Sequence, residues 1–222
     1  MRTLIAAVLF CFSTSILAQV AAVNVFEPLP GKAPLVIQYM NEAKAIHQAM
    51  GVGVATSFDG SGIYRYAVLV ENWEAYGNFV DALGTSAPWA LFQARIASNP
   101  AATQIDNLRL NGRSVIESVV GPGSATHVFV WELGPGVTMN ESIEAAMGAK
   151  EIHERTGVDG ISVYATGGTH MYYLMHFNNM SSWGRFQDQP NMEFNQYMGG
   201  LAVENGGQLP SVIVDDFILT AF

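Results

Sequence analysis

Two histidines stand at one repeated position of this chain, and a repeated tyrosine accompanies each. Ala43-Lys44-Ala45-Ile46-His47 returns as Ala149-Lys150-Glu151-Ile152-His153, and Tyr66 has its counterpart in Tyr173. An imidazole beside a phenol in an apolar cleft can orient a small molecule or move its proton near neutral pH. A histidine satisfied by a backbone carbonyl or a neighbouring side chain at a helix edge would leave the same signature, since plain packing also preserves a duplicated position.

A second histidine setting belongs to the later copy alone. In an antiparallel sheet the start of one strand lies beside the end of its neighbour. This places His127 near His176 as a second-choice site on the sheet interface. His170, at the other end of its strand, is about 20 Å away at ~3.3 Å per residue and cannot complete a three-histidine centre. Asp216 or Glu132 is a conceivable third ligand, with Glu132 turned away by alternation, so no metal is expected. Histidines bonded across the two sheets are the alternative reading. No nucleophile elbow, HExxH or paired-carboxylate pattern is present. Gly121-Pro122-Gly123 and Gly134-Pro135-Gly136 read as turns.

The elements that must position these residues follow from the duplication. The offset between copies is 106 residues through Gly51/Gly157 and Val52/Val158. It becomes 107 through Gly60/Gly167, Tyr66/Tyr173, Asn72/Asn179, Gly77/Gly184 and Phe79/Phe186. Units of this length exceed the ~20–50 residues of solenoid repeats, so each copy is a small domain. In the second copy, strands are expected at 126–133, 161–166, 169–177 and 212–219. A helix capped by Asn140 or Ser142 runs to about Arg155, and further helical segments run from Ser181 to about Val203 with a break near Pro190. The first copy repeats the order, with strands near 20–27, 54–58, 63–71 and 104–110 and a helix from Pro34 to Met50. The order β-α-β-β-α-β gives a four-stranded antiparallel sheet with both helices on one face. The division is 1–18 for a signal peptide, 19–120 for the first repeat and 121–222 for the second.

Alternation assigns the faces of each strand. The helix-packed face is expected to carry Val128, Val130, Met171, Tyr173, Met175, Phe177, Phe217 and Leu219, with Val23, Val25, Tyr64, Tyr66, Val68 and Val70 in the first copy. The face toward the other sheet is expected to carry His127, Phe129, Trp131, His170, Tyr172, His176 and Asp216, with Asn24, Phe26, Arg65, Asn107 and Arg109. His47 and His153 lie about 40° around their helices from Ala43 and Ala149, at the edge of the buried stripe. From there they can point into the cleft between helix and sheet.

In element order and duplication the whole chain after residue 18 resembles the dimeric α+β barrel superfamily, in a tandem-repeat form. That superfamily includes antibiotic-biosynthesis-type monooxygenases, stress-responsive barrel proteins, haem-degrading monooxygenases and chlorite-dismutase-like haem proteins. The resemblance implies two ferredoxin-like sheets packed face to face within one chain, as an intrachain pseudo-dimer. It also implies a pocket between helix and sheet, where His153, Tyr173, His47 and Tyr66 are the candidate ligand-binding residues. Three functions are compatible with it. The first is an exported protein binding an apolar or aromatic small molecule, extending to cofactor-independent monooxygenase-like chemistry, with no cofactor. The second is a haem protein with a histidine axial ligand, and the third a stress or assembly module without catalysis.

Composition narrows the partners. The formal net charge is −9, with 10 basic and 19 acidic residues, which disfavours nucleic acid and anionic membrane surfaces. Half the residues are hydrophobic and only 13% are charged, enough for two cores and a buried interface between them; further homo-oligomerisation stays open. Arg2, the apolar run Leu4 to Phe12 and Ile16-Leu17-Ala18 read as an export signal, too short to span a membrane. This implies a periplasmic or secreted protein. The single cysteine, Cys11, lies inside that signal, leaving no disulfide in the mature chain. N-terminal sequencing of exported protein should therefore begin at Gln19, and melting should be indifferent to reductant. A start at Val23 would trim the first strand and contradict the boundary.

Overall fold

A computed structural model describes residues 20–115 and 121–222; the expected signal segment and its expected cleavage site lie outside the described residues. The first repeat contains β1 (Val20–Pro28), α1 (Ala33–Ala49), β2 (Gly53–Asp59), β3 (Tyr64–Val70), α2 (Trp73–Thr85), α3 (Ala87–Ser98) and β4 (Ala102–Ser114). The second contains β5 (Ala125–Leu133), α4 (Met139–Arg155), β6 (Gly160–Ala165), β7 (His170–Phe177), α5 (Met180–Gln187), α6 (Met192–Glu204) and β8 (Ser211–Ala221).

Local chemistry accounts for the helix boundaries. Asn72 and Asn179, a repeated pair, cap α2 and α5 by accepting the backbone N–H of Ala75 and Ser182. Ser86 and Asn191 cap α3 and α6 in the same way, accepting from Trp89 and Phe194. α4 begins earlier than Asn140 or Ser142 would have it. Its cap is Thr138, in a reciprocal box with Glu141, whose carboxylate accepts the Thr138 N–H at 2.7 Å. Gly51 and Gly157, with φ of 85° and 106°, follow α1 and α4 in the left-handed conformation that a side chain resists.

All strand pairings are antiparallel, and the strands close in the order β1-β3-β2-β8-β5-β7-β6-β4. Each repeat supplies four neighbouring strands, β4-β1-β3-β2 and β8-β5-β7-β6. The seams between repeats are short: Ser57–Asp59 of β2 against Leu219–Ala221 of β8, and Asn111–Ser114 of β4 against Val163–Ala165 of β6. The two sheets thus face each other across a common interior and become one barrel, with the helices outside. Where β8 runs past the end of β2, Val212, Ile213 and Val214 are about half exposed.

Strand register corrects half of the expected face assignment. Directly paired residues share a face. Tyr173 pairs with Phe129, Met171 with Trp131 and Met175 with His127, so Phe129, Trp131 and His127 stand on the helix face. Val128 and Val130 pair with Leu174 and Tyr172 and point into the barrel, as do Phe217 and Leu219, while Asp216 points outward. In the first repeat Asn24, Phe26, Asn107 and Arg109 are likewise on the helix side, and Val23 and Val25 are inside. Only β3 and β7 keep their expected faces. The physical reason is double burial. Val128, Phe129, Val130 and Trp131 are four consecutive apolar residues, and alternation carries no parity when both faces are apolar.

The buried helix stripes take in both repeated histidines. α1 buries Val36, Met40, Ala43 and His47, and α4 buries Ser142, Ala145, Ala146, Ala149, Ile152 and His153. Both histidines therefore belong to the buried face rather than its edge. α6 locks onto α4 through Tyr197, whose hydroxyl donates to the Ala145 carbonyl at 2.9 Å. A Cβ at Gly148 would stand 2.6 Å from Tyr197 Cζ. Gly148→Ala should accordingly destabilise the fold by about 1–3 kcal/mol through overpacking, read by denaturant unfolding. An unchanged midpoint would show that α6 moves freely on α4.

Candidate functional site

The repeated histidine and tyrosine meet in both repeats. His47 on α1 and Tyr66 on β3 join through Nδ1 and Oη at 2.8 Å, and His153 on α4 and Tyr173 on β7 do so at the same distance. The helix stripe supplies the imidazole and the outward face of the third strand supplies the phenol. Burial pushes each of these imidazoles down to about 4 and both phenols up. Both histidines are thus neutral near pH 7, and both phenols keep their protons.

What surrounds the pair differs between repeats. Around His47 the rings of Phe79 and Trp89 have centroids 5.0 and 4.6 Å away, and Nε2 is buried without a hydrogen-bond partner. Around His153 the corresponding rings are Phe186 at 5.8 Å and Phe194 at 4.5 Å. Trp89 and Phe194 each stand three residues after the caps Ser86 and Asn191, so they are equivalent plugs of different size. The smaller one accompanies a cavity of about 220 Å³, lined by His153, Tyr173, Phe129, Trp131, Phe186 and Phe194 among others. Gln187, Gln189 and Asn191 supply amides to its lining, and Ile213 brings in β8.

The expected pairing of His127 with His176 does not occur. His127 pairs with Met175 and His176 with Thr126, so the two histidines point to opposite sides of the sheet. Each has both ring nitrogens occupied. Trp183 Nε1–H donates to His127 Nδ1 at 3.3 Å, which leaves Nε2–H to donate to Asp216 at 3.1 Å. This clamp holds α5 on the sheet. His176 lies inside the barrel between Thr126 Oγ1 at 3.0 Å and Ser162 Oγ at 3.1 Å, partners from its own sheet rather than the opposite one. Burial lowers it to about 4. Also inside the barrel is the Arg65–Asp59 pair at 2.7 Å, with the Arg65 guanidinium 4.1 Å over the Phe217 ring.

Sequence reasoning missed Phe129 and Trp131 as cleft residues because it placed them on the inner face. It also missed the plugs, whose signal was available in the matching caps Ser86 and Asn191. Met175 also lines the cavity, whereas Met171 is core and Met180 is exposed.

A haem does not fit this cleft. The cavity falls below the ~300–1,000 Å³ of ordinary ligand pockets. Phe194 packs against the imidazole that would ligate iron, so a porphyrin would require both phenylalanine plugs to leave.

No known family's sequence profile matches the chain, and no curated protein matches it. Solved structures match its fold throughout. A candidate monooxygenase from Fusobacterium nucleatum has a TM-score of 0.64 at 12% identity, over 92% of both chains. One from Lactobacillus acidophilus has a TM-score of 0.60 at 11% identity, over 92% of this chain and 93% of that one. A candidate chlorite dismutase has a TM-score of 0.56 at 11% identity, over 91% of this chain and 94% of that one. The fold is the dimeric α+β barrel, here formed within a single chain.

His47, His153 and His176 contribute to the acid stability. An unfolded histidine titrates near 6.5 and these three near 4 in the fold. Their neutral burial therefore contributes stability that is complete above about pH 6.5 and is lost as pH falls toward 4. Unfolding free energy should be level near pH 7 to 8 and decline across that window. His47→Gln should reduce the slope by about one proton, or ~1.4 kcal/mol per pH unit. An unaltered slope would show that His47 does not titrate this way.

Proposed function

We propose that this is an exported small-molecule protein. Its second repeat binds a compact apolar or aromatic ligand in the cleft of His153 and Tyr173, and its first repeat is scaffold. One observation carries the reading: the same imidazole–phenol pair lines a cavity in one repeat and is packed against Trp89 in the other. Aromatic walls with a small polar end are the usual make-up of a ligand site. An engineered ~150 Å³ cavity admits benzene, so about 220 Å³ suits one substituted ring. The N-terminal Arg2 and apolar run support action in the periplasm or outside the cell.

The chemistry we assign to such a site is cofactor-independent oxygenation, in keeping with the description of two structural neighbours as candidate monooxygenases. In this reaction the substrate supplies the electrons. A CH2 group becomes a carbonyl, one oxygen of dioxygen enters the product, and the other leaves as water with the two hydrogens. The His153–Tyr173 pair would orient the substrate and hold or pass a proton, while the aromatic walls exclude water.

Titration with acetophenone as a one-ring probe tests the site. His153→Ala and Tyr173→Phe should weaken binding at least tenfold, with His47→Ala and Tyr66→Phe leaving it unchanged. Equal losses from both repeats would refute the asymmetry. If His153 only packs, His153→Ala should destabilise by roughly 1–3 kcal/mol without selective loss of binding.

A further inference from the structure

We infer that the second-repeat cleft selects a ring bearing a neutral carbonyl oxygen, received by the indole N–H of Trp131 and the Nε2–H of His153. This rests on the cleft reading above and narrows it to a ligand class.

Trp131 lines the cavity and is 6% exposed, and its Nε1 has no hydrogen-bond partner among the described residues. An indole nitrogen only donates, and a buried donor left unmatched is costly. His153 supplies the second donor by elimination. Its Nδ1 is engaged by Tyr173 Oη. Were the imidazole proton on Nδ1, the Tyr173 O–H would be left without an acceptor. With Tyr173 donating to Nδ1, that bond is satisfied and the ring proton sits on Nε2. The depressed imidazole and raised phenol agree with this arrangement. Both donor rings sit against Tyr173, with centroids 6.4 Å (Trp131) and 5.8 Å (His153) from it.

A buried indole donor, with a second N–H in the lining of the same cleft, calls for an acceptor oxygen. Burial decides which kind: it is the main cause that raises the Tyr173 phenol, Glu154 adds to it, and both disfavour negative charge there, in a chain that carries −9 overall. A carboxylate or phenolate is therefore disfavoured against a neutral carbonyl. The first repeat lacks this donor pair. Aligning Val23–Glu27 with Val128–Glu132 puts Phe26 where the second repeat has Trp131, and Trp89 packs on His47. The donor pair and the cavity therefore occur in the same repeat.

The test compares acetophenone with α-methylstyrene, which replaces C=O by C=CH2 at nearly the same shape. Both are titrated against the mature chain by calorimetry and by NMR of the indole and imidazole N–H signals. Acetophenone should bind at least tenfold tighter and move the Trp131 N–H signal downfield. Trp131→Phe should abolish most of that preference while α-methylstyrene binding persists. Equal affinities, with both compounds perturbing cleft signals, would overturn the carbonyl inference and leave the cleft reading standing. No binding of either compound, and no shift at Trp131 or His153, would bring down the cleft reading and this inference together. Should Trp131→Phe fail to fold, the affinity ratio and the N–H shift in the unaltered protein still decide.

Discussion

Along β5, β6 and β7 both faces of the sheet are buried, one under helices and the other toward the opposite sheet, and this double burial governs the candidate site. It requires every polar group inside the barrel to find its partner there. Arg65 is matched by Asp59, and His176 is held between Thr126 and Ser162. It also makes the register of each strand pair decisive, since one step would exchange the barrel lining with the helix face. The pairing of Phe129 with Tyr173 and Trp131 with Met171 puts two aromatic rings beside the phenol rather than two valines. The aromatic character of the cleft is thus a consequence of sheet register.

Duplication supplied two copies of one arrangement, and packing made them different. The imidazole–phenol hydrogen bond is 2.8 Å long in each, and the helix caps beside it correspond. Part of the divergence lies in the ring that packs on each imidazole. An indole packs against the first imidazole and a phenyl against the second. Interiors pack at nearly crystalline density, so a change of one ring system is enough to separate a filled cleft from an open one. A neutral histidine is the form compatible with either setting, because burial penalises the charged imidazolium in both.

The repeat, the β-α-β-β-α-β order, the broken helical segment near Pro190 and the meeting of His153 with Tyr173 were all legible in the residues. Each rests on local or periodic information: glycines that end helices, asparagines that cap them, and a helix and strand placed in sequence by the repeat itself. Three features were decided by tertiary structure. The faces of β1, β4, β5 and β8 depended on register between strands, which runs of apolar residues such as Val128 to Trp131 do not encode. The separation of His127 from His176 followed from that same register, with Thr126 rather than His127 opposite His176. The opening of one cleft and the filling of the other depended on how Trp89 and Phe194, remote in sequence from the histidines, pack back onto them. A linear sequence specifies which side chains are present, but space left between them is a property of three-dimensional packing.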